Sequence, residues 1–101
     1  TLLQHGAEID TQTRDGCTAL ILAAAQGHGR LVELLIRRGA EIDWQDNHGY
    51  TALTAAAFEG HPVVVLRLLR AGADMTLRDV EGKTALQLAK EESHAECVEA
   101  F

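Results

Sequence analysis

The feature that most constrains this chain is self-similarity at a spacing of 33 residues. Gly16-Cys17-Thr18-Ala19-Leu20 returns as Gly49-Tyr50-Thr51-Ala52-Leu53 and again as Gly82-Lys83-Thr84-Ala85-Leu86. The same offset relates Gly27-His28 to Gly60-His61, with Ser93-His94 as a degenerate third copy. It also relates Gly6-Ala7-Glu8 to Gly39-Ala40-Glu41 and Gly72-Ala73-Asp74. A fixed period of roughly 20–50 residues implies a stacked array, in which each unit is one supersecondary element that buries its apolar face against its neighbours.

Within a unit the residues read as two short helices. Thr18, Thr51 and Thr84 each precede an Ala- and Leu-rich segment, where a threonine hydroxyl can accept from the free N–H groups of a helix start. In the middle unit the first helix is expected over 52–59, with Gly60 supplying the turn that ends it. The second begins near His61 or Pro62, since proline is tolerated in a first turn that has no intrahelical use for its N–H. Val64, Val65, Leu68 and Leu69 then line one face, as do Leu31, Val32, Leu35 and Ile36 one unit earlier. Gly39 and Gly72 close these second helices. The segments 40–46 and 73–79 lead on as loops or short hairpins.

This pattern resembles the ankyrin repeat, whose family motif runs D-x-x-G-x-T-P-L-H-x-A-A-x-x-G-H-x-x-V-V-x-L-L-L-x-x-G-A-D-V-N. The resemblance covers essentially the whole chain: residues 16–48 and 49–81 as complete copies, 1–15 as the end of an earlier one and 82–101 as a partial or C-terminal one. It implies an all-α solenoid of helix-turn-helix units with short hairpin loops, folded as a single domain. The family's Thr-Pro-Leu-His is here Thr18-Ala19-Leu20-Ile21, Thr51-Ala52-Leu53-Thr54 and Thr84-Ala85-Leu86-Gln87. The inter-repeat histidine hydrogen bonds usual in the family are therefore expected to be missing, leaving stability to apolar contacts. Arg67 stands where an aliphatic residue is usual, with Leu66 where a polar one is, and a local rotation of the second helix is one reading. Thr1, Leu2 and Leu3 align with the middle of a second helix and Phe101 aligns with Leu35 and Leu68. Both ends thus read as cuts, in a longer array or in a short one whose ends are covered by flanking sequence, and Leu2, Leu3, Cys97 and Val98 do not clearly supply a polar end face.

Composition agrees with small, closely packed helices. Hydrophobic residues make up 47% of the 101 positions but aromatics only 4%, so Ala, Leu, Val and Ile must build the core. The net charge of −6 repels a polyphosphate backbone, which argues against nucleic acid and anionic membrane surfaces as partners. No apolar run approaches the ~20 residues that span a bilayer, so membrane insertion is not expected. Cys17 and Cys97 do not form a dense disulfide framework, which fits a reducing, intracellular setting, cytoplasmic or nuclear.

Little in the sequence suggests chemistry. His28, His61 and His94 hold equivalent positions, and equivalent positions in a solenoid form a row instead of converging on a point; a structural role at the start of the second helix fits them best. His5 and His48 fall on loops. No C-x-x-C pair or glycine-rich phosphate loop is present, so no metal, cofactor or nucleotide site is expected. Glu91, Glu92, Glu96 and Glu99 read as a solvated acidic face.

The expected function is a non-catalytic protein–protein interaction module, a scaffold or adaptor, binding on the concave groove and the hairpin tips. The partner is another protein or a domain of the same parent chain. The positions at which the family varies place Asn47, His48, Tyr50, Phe58 and Glu59 on that strip, with Trp44 projecting from the preceding loop. Val80, Glu81, Lys83 and Glu91 continue it on one side, and Arg14, Asp15 and Gln26 on the other. Tyr50 is expected to be exposed, whereas Trp44 and Phe58 are as readily packing residues as contacts. Aromatic side chains carry disproportionate interface energy, which makes these three the candidate hot spots.

Overall fold

A computed structural model of the chain describes residues 12–101. The expectations for Leu2, Leu3, His5 and the first Gly-Ala-Glu turn lie outside the described residues. Six helices follow in three pairs: α1 (Ala19–Ala25) with α2 (Gly29–Arg37), α3 (Ala52–Glu59) with α4 (Pro62–Arg70), and α5 (Ala85–Glu91) with α6 (Ala95–Ala100). No strand occurs among the described residues, so the architecture is an all-α solenoid.

The local signals act as their chemistry dictates. Thr18, Thr51 and Thr84 have extended backbones, and each hydroxyl accepts from the backbone N–H three residues on. At Thr51 and Thr84 the side chains of Thr54 and Gln87 reach back to the cap N–H, closing reciprocal capping boxes. Gly60 terminates α3 with a left-handed backbone, and Pro62 opens α4.

The helices form two layers. α1, α3 and α5 pack side by side, and α2, α4 and α6 form the second row, with α4 flanked by both α2 and α6. Alanine makes the first layer possible. Ala23, Ala24, Ala52, Ala55, Ala56, Ala57, Ala85 and Ala89 are all buried, and their small side chains let the backbones approach. Between the layers lie Leu20, Leu53, Val32, Leu35, Val64, Val65 and Leu68. The apolar stripe of the second helices is not uniform: Val64 is 2% exposed, whereas Leu31, one period earlier, is 39% exposed. Cys97 is buried, and Val98 and Phe101 are half-buried against the core.

One sequence expectation is corrected here, and one reading left open is decided. Histidine bonds between units are present, supplied from a different position: His61 Nε2 lies 3.0 Å from the Ala25 carbonyl oxygen and His94 Nε2 3.0 Å from that of Phe58. These imidazoles satisfy carbonyls at the C-terminal ends of α1 and α3, which lack intrahelical partners. The second helix of the middle unit is not rotated either. Val64, Val65 and Leu68 keep the buried face and Leu66 stays outside, while Arg67 reaches across to α2, its Nη1 3.1 Å from Glu33 Oε1.

Candidate protein-binding surface

Each pair is entered through a tight turn. Thr13 N–H donates to the Cys17 carbonyl, Asp46 N–H to that of Tyr50 and Asp79 N–H to that of Lys83, each at 2.9 Å. The carboxylates fix these turns further. Asp46 Oδ1 accepts from the N–H groups of His48 and Tyr50, and Asp79 Oδ1 from those of Glu81 and Lys83.

The turns are tied to one another in register. Asn47 N–H donates to the Asp15 carbonyl at 2.9 Å, and Val80 N–H repeats the bond to the His48 carbonyl at 3.0 Å. Asn47 Nδ2 adds a bond to the Arg14 carbonyl, and Gln45 Nε2 bridges the carbonyls of Gly49 and Arg78. Gln45 was not singled out from sequence, since an exposed glutamine in a loop carries no pattern of its own.

This ladder brings Arg14, Asp15, Asn47, His48, Val80 and Glu81 along one edge, all of them exposed. Val80 is the most exposed large apolar side chain among the described residues, at 72%. Glu59 and Gln26 are exposed at the ends of α3 and α1, with Gln26 Oε1 3.0 Å from His28 Nε2. Leu22, missed by the sequence reading, is exposed one turn before Gln26 on the same face of α1; the signal was a leucine where the next unit has Ala55. Lys83 and Glu91 meet at 2.8 Å, as an exposed ion pair whose bond holds the Lys83 ammonium above its usual range.

Among the aromatic residues Tyr50 departs from expectation. Tyr50 is half-buried, its ring edge-on to Phe58 with centroids 6.1 Å apart and planes at 73°. Its phenol is pushed up from the ordinary value, first by burial and then by the charges of Asp79, Glu81 and Asp46. Trp44 is half-buried and packs against the core, the packing alternative of its two readings.

Cys17 and Cys97 are free thiols. Among the described residues no three His, Cys, Asp or Glu are placed to hold a metal ion, and no helix is long and apolar enough to cross a membrane. The recesses among the described residues are open to solvent. The family described as ankyrin repeats, in three copies, matches residues 1–79. A search of curated proteins finds no match.

Proposed function

The chain belongs to the ankyrin-repeat family, and from that premise we propose that it is a non-catalytic scaffold or adaptor holding a protein partner along its turn tips and the adjoining side of the α1, α3 and α5 layer. Ankyrin repeats are generally protein–protein interaction modules, and the family is typically non-catalytic. The observation that carries the finer reading is the tip ladder, in which backbone bonds hold Asp15, Asn47, His48 and Val80 in register before any partner arrives. A pre-ordered edge loses little conformational entropy on binding. The exposure of Val80 within a polar rim supplies the apolar anchor such an interface needs. The repeats act as one domain over 1–101, with the end of a repeat at 1–15, units at 16–48 and 49–81 and a partial or C-terminal one at 82–101, inside the cell in the cytoplasm or nucleus, which two free thiols support.

The outer helices offer a rival surface, since Leu31, Leu66 and the 59% exposed Val63 lie there. Affinity capture with the intact chain, repeated with Val80→Ser, Glu59→Ala and Phe58→Ala on one side and Val63→Ser and Leu66→Ser on the other, separates the two. We expect the tip variants to fold and lose the captured protein while the outer variants keep it. The opposite outcome moves the interface to the second-helix row. Reproducible thermal stabilisation by a metal ion or nucleotide would count against a purely protein-binding role.

A further inference from the structure

The two turn carboxylates, Asp46 and Asp79, differ in one respect. Both use Oδ1 to hold their turns, but Asp46 Oδ2 also accepts from the Cys17 thiol at 3.5 Å. One period later the place of Cys17 is taken by Tyr50, whose side chain gives no hydrogen bond there. Asp79 is 6% exposed, and its Oδ2 is buried with no hydrogen-bond partner. A buried carboxylate oxygen without a partner is costly and calls for a donor.

Asp79 lines a recess of about 310 Å³ at the turn tips, together with Asp46, His48, Tyr50, Val80 and Glu81. No Lys or Arg contributes to its wall. The nearby Lys83 directs its ammonium to Glu91, and Arg78 donates to the Gly82 carbonyl. The carboxylates of Asp79, Glu81 and Asp46 surround the Tyr50 phenol, and after burial their charges add to the upward push on its pKa, against a smaller lowering by Lys83. An aromatic ring beside carboxylates suits an organic cation, which gains from both. A metal ion is disfavoured, because no three ligating groups converge.

We propose that this recess seats a single cationic side chain, the guanidinium of an arginine or the ammonium of a lysine, presented by the protein partner. The inference rests on the reading of the turn tips as the binding edge, and it names what that edge recognises: a basic segment. The cation pairs with the Asp79 carboxylate, lies against Tyr50 and is flanked by Glu81.

The test is an amide NMR titration of the intact chain with N-acetyl-arginine-methylamide, N-acetyl-lysine-methylamide and the neutral N-acetyl-norleucine-methylamide. The two cations should give saturable shifts at Tyr50, Glu81 and Lys83, and the neutral probe none. Asp79→Asn, which keeps an acceptor for the turn N–H groups, should weaken binding about tenfold or more. Glu81→Gln, an exposed change that leaves the fold intact, should weaken it less. Absence of saturable shifts, equal shifts with norleucine, or unchanged affinity in both variants overturns the proposal. If the probes fail while Val80→Ser still abolishes partner capture, the cation seat is wrong and the binding edge stands; if the probes bind while capture is unaffected, the edge reading fails instead.

Discussion

His61 Nε2 lies 3.0 Å from the carbonyl oxygen of Ala25, so an imidazole at the start of α4 closes the open end of α1 in the preceding unit. A carbonyl can only accept, so the ring carries its proton on Nε2. Replacing the ring leaves that carbonyl without its partner, a loss of about 1–3 kcal/mol. His61→Ala should therefore lower the urea midpoint clearly. His28→Ala should not, because among the described residues that exposed ring bonds Gln26 and no carbonyl of another unit; equal losses would show that the inter-unit bond contributes nothing.

Gly27 and Gly39 test what this imidazole requires of its neighbour. Both have positive φ, +77° and +92°, but a Cβ at Gly27 would sit 2.6 Å from His61 Nδ1, whereas one at Gly39 meets nothing within 4 Å. Gly39→Ala should cost only the left-handed backbone penalty, about 1–2 kcal/mol. Gly27→Ala should cost more, and the excess should vanish when it is combined with His61→Ala. An additive double mutant would separate the glycine from the ring.

The expected first helix of the middle unit, 52–59, coincides with α3, because a threonine cap and a glycine stop are local signals that need no knowledge of the fold. The target of His61 was not visible in the same way, since Ala25 belongs to the previous unit and lies 36 residues away. Register alone also misjudges burial: Leu31 and Val64 share a position, yet only α4 has a second-row neighbour on both sides among the described residues. The solvent-facing residues of the strip, His48, Glu59 and Val80, were legible from the variable positions. The packing of Trp44 was one of two readings the sequence left open, and the pairing of Tyr50 with Phe58 was not legible, because it depends on what the side chains meet across the turn.

Ser93 occupies the place held by Gly27 and Gly60 and still adopts φ +61°, a conformation that carries a penalty for any residue with a Cβ. Ser93→Gly should relieve that strain and raise stability by about 0.5–1 kcal/mol, the gain being reduced by the added freedom of the unfolded chain. A fall in the thermal midpoint would show that the serine side chain makes a compensating contact.

Leu53 is fully buried between the layers, whereas Leu22 on α1 faces solvent. Truncation of Leu53 to Ala opens a cavity and should cost about 2–5 kcal/mol. Leu22→Ala should change stability by less than about 0.5 kcal/mol while remaining available to affect partner affinity. Comparable losses from the two changes would contradict the layer assignment.

The two thiols make a prediction in pH. Burial raises the Cys17 thiol above its ordinary range, and the Asp46 carboxylate that accepts its proton, with the charges of Asp46 and Asp15, raises it further against a smaller lowering by Thr13. Burial raises Cys97 as well, with a contribution from Glu96. Thiolate is the reactive form, so both cysteines should alkylate more slowly at neutral pH than in the unfolded chain. Their rate profiles should be displaced to higher pH. Cys17, only half-buried, should react directly from the folded state. Cys97, 1% exposed, should react only on opening and follow the unfolding equilibrium. The sign for stability follows from the same shifts. The fold favours the neutral thiols, so their contribution is fully present below the ordinary thiol value and is lost as pH rises through the raised folded values. Iodoacetamide labelling across pH, read site by site by mass spectrometry with and without urea, checks all of this. A Cys17 profile at or below that of the unfolded chain would remove the Asp46 contact from the account, and urea-independent labelling of Cys97 would show that α6 does not bury it.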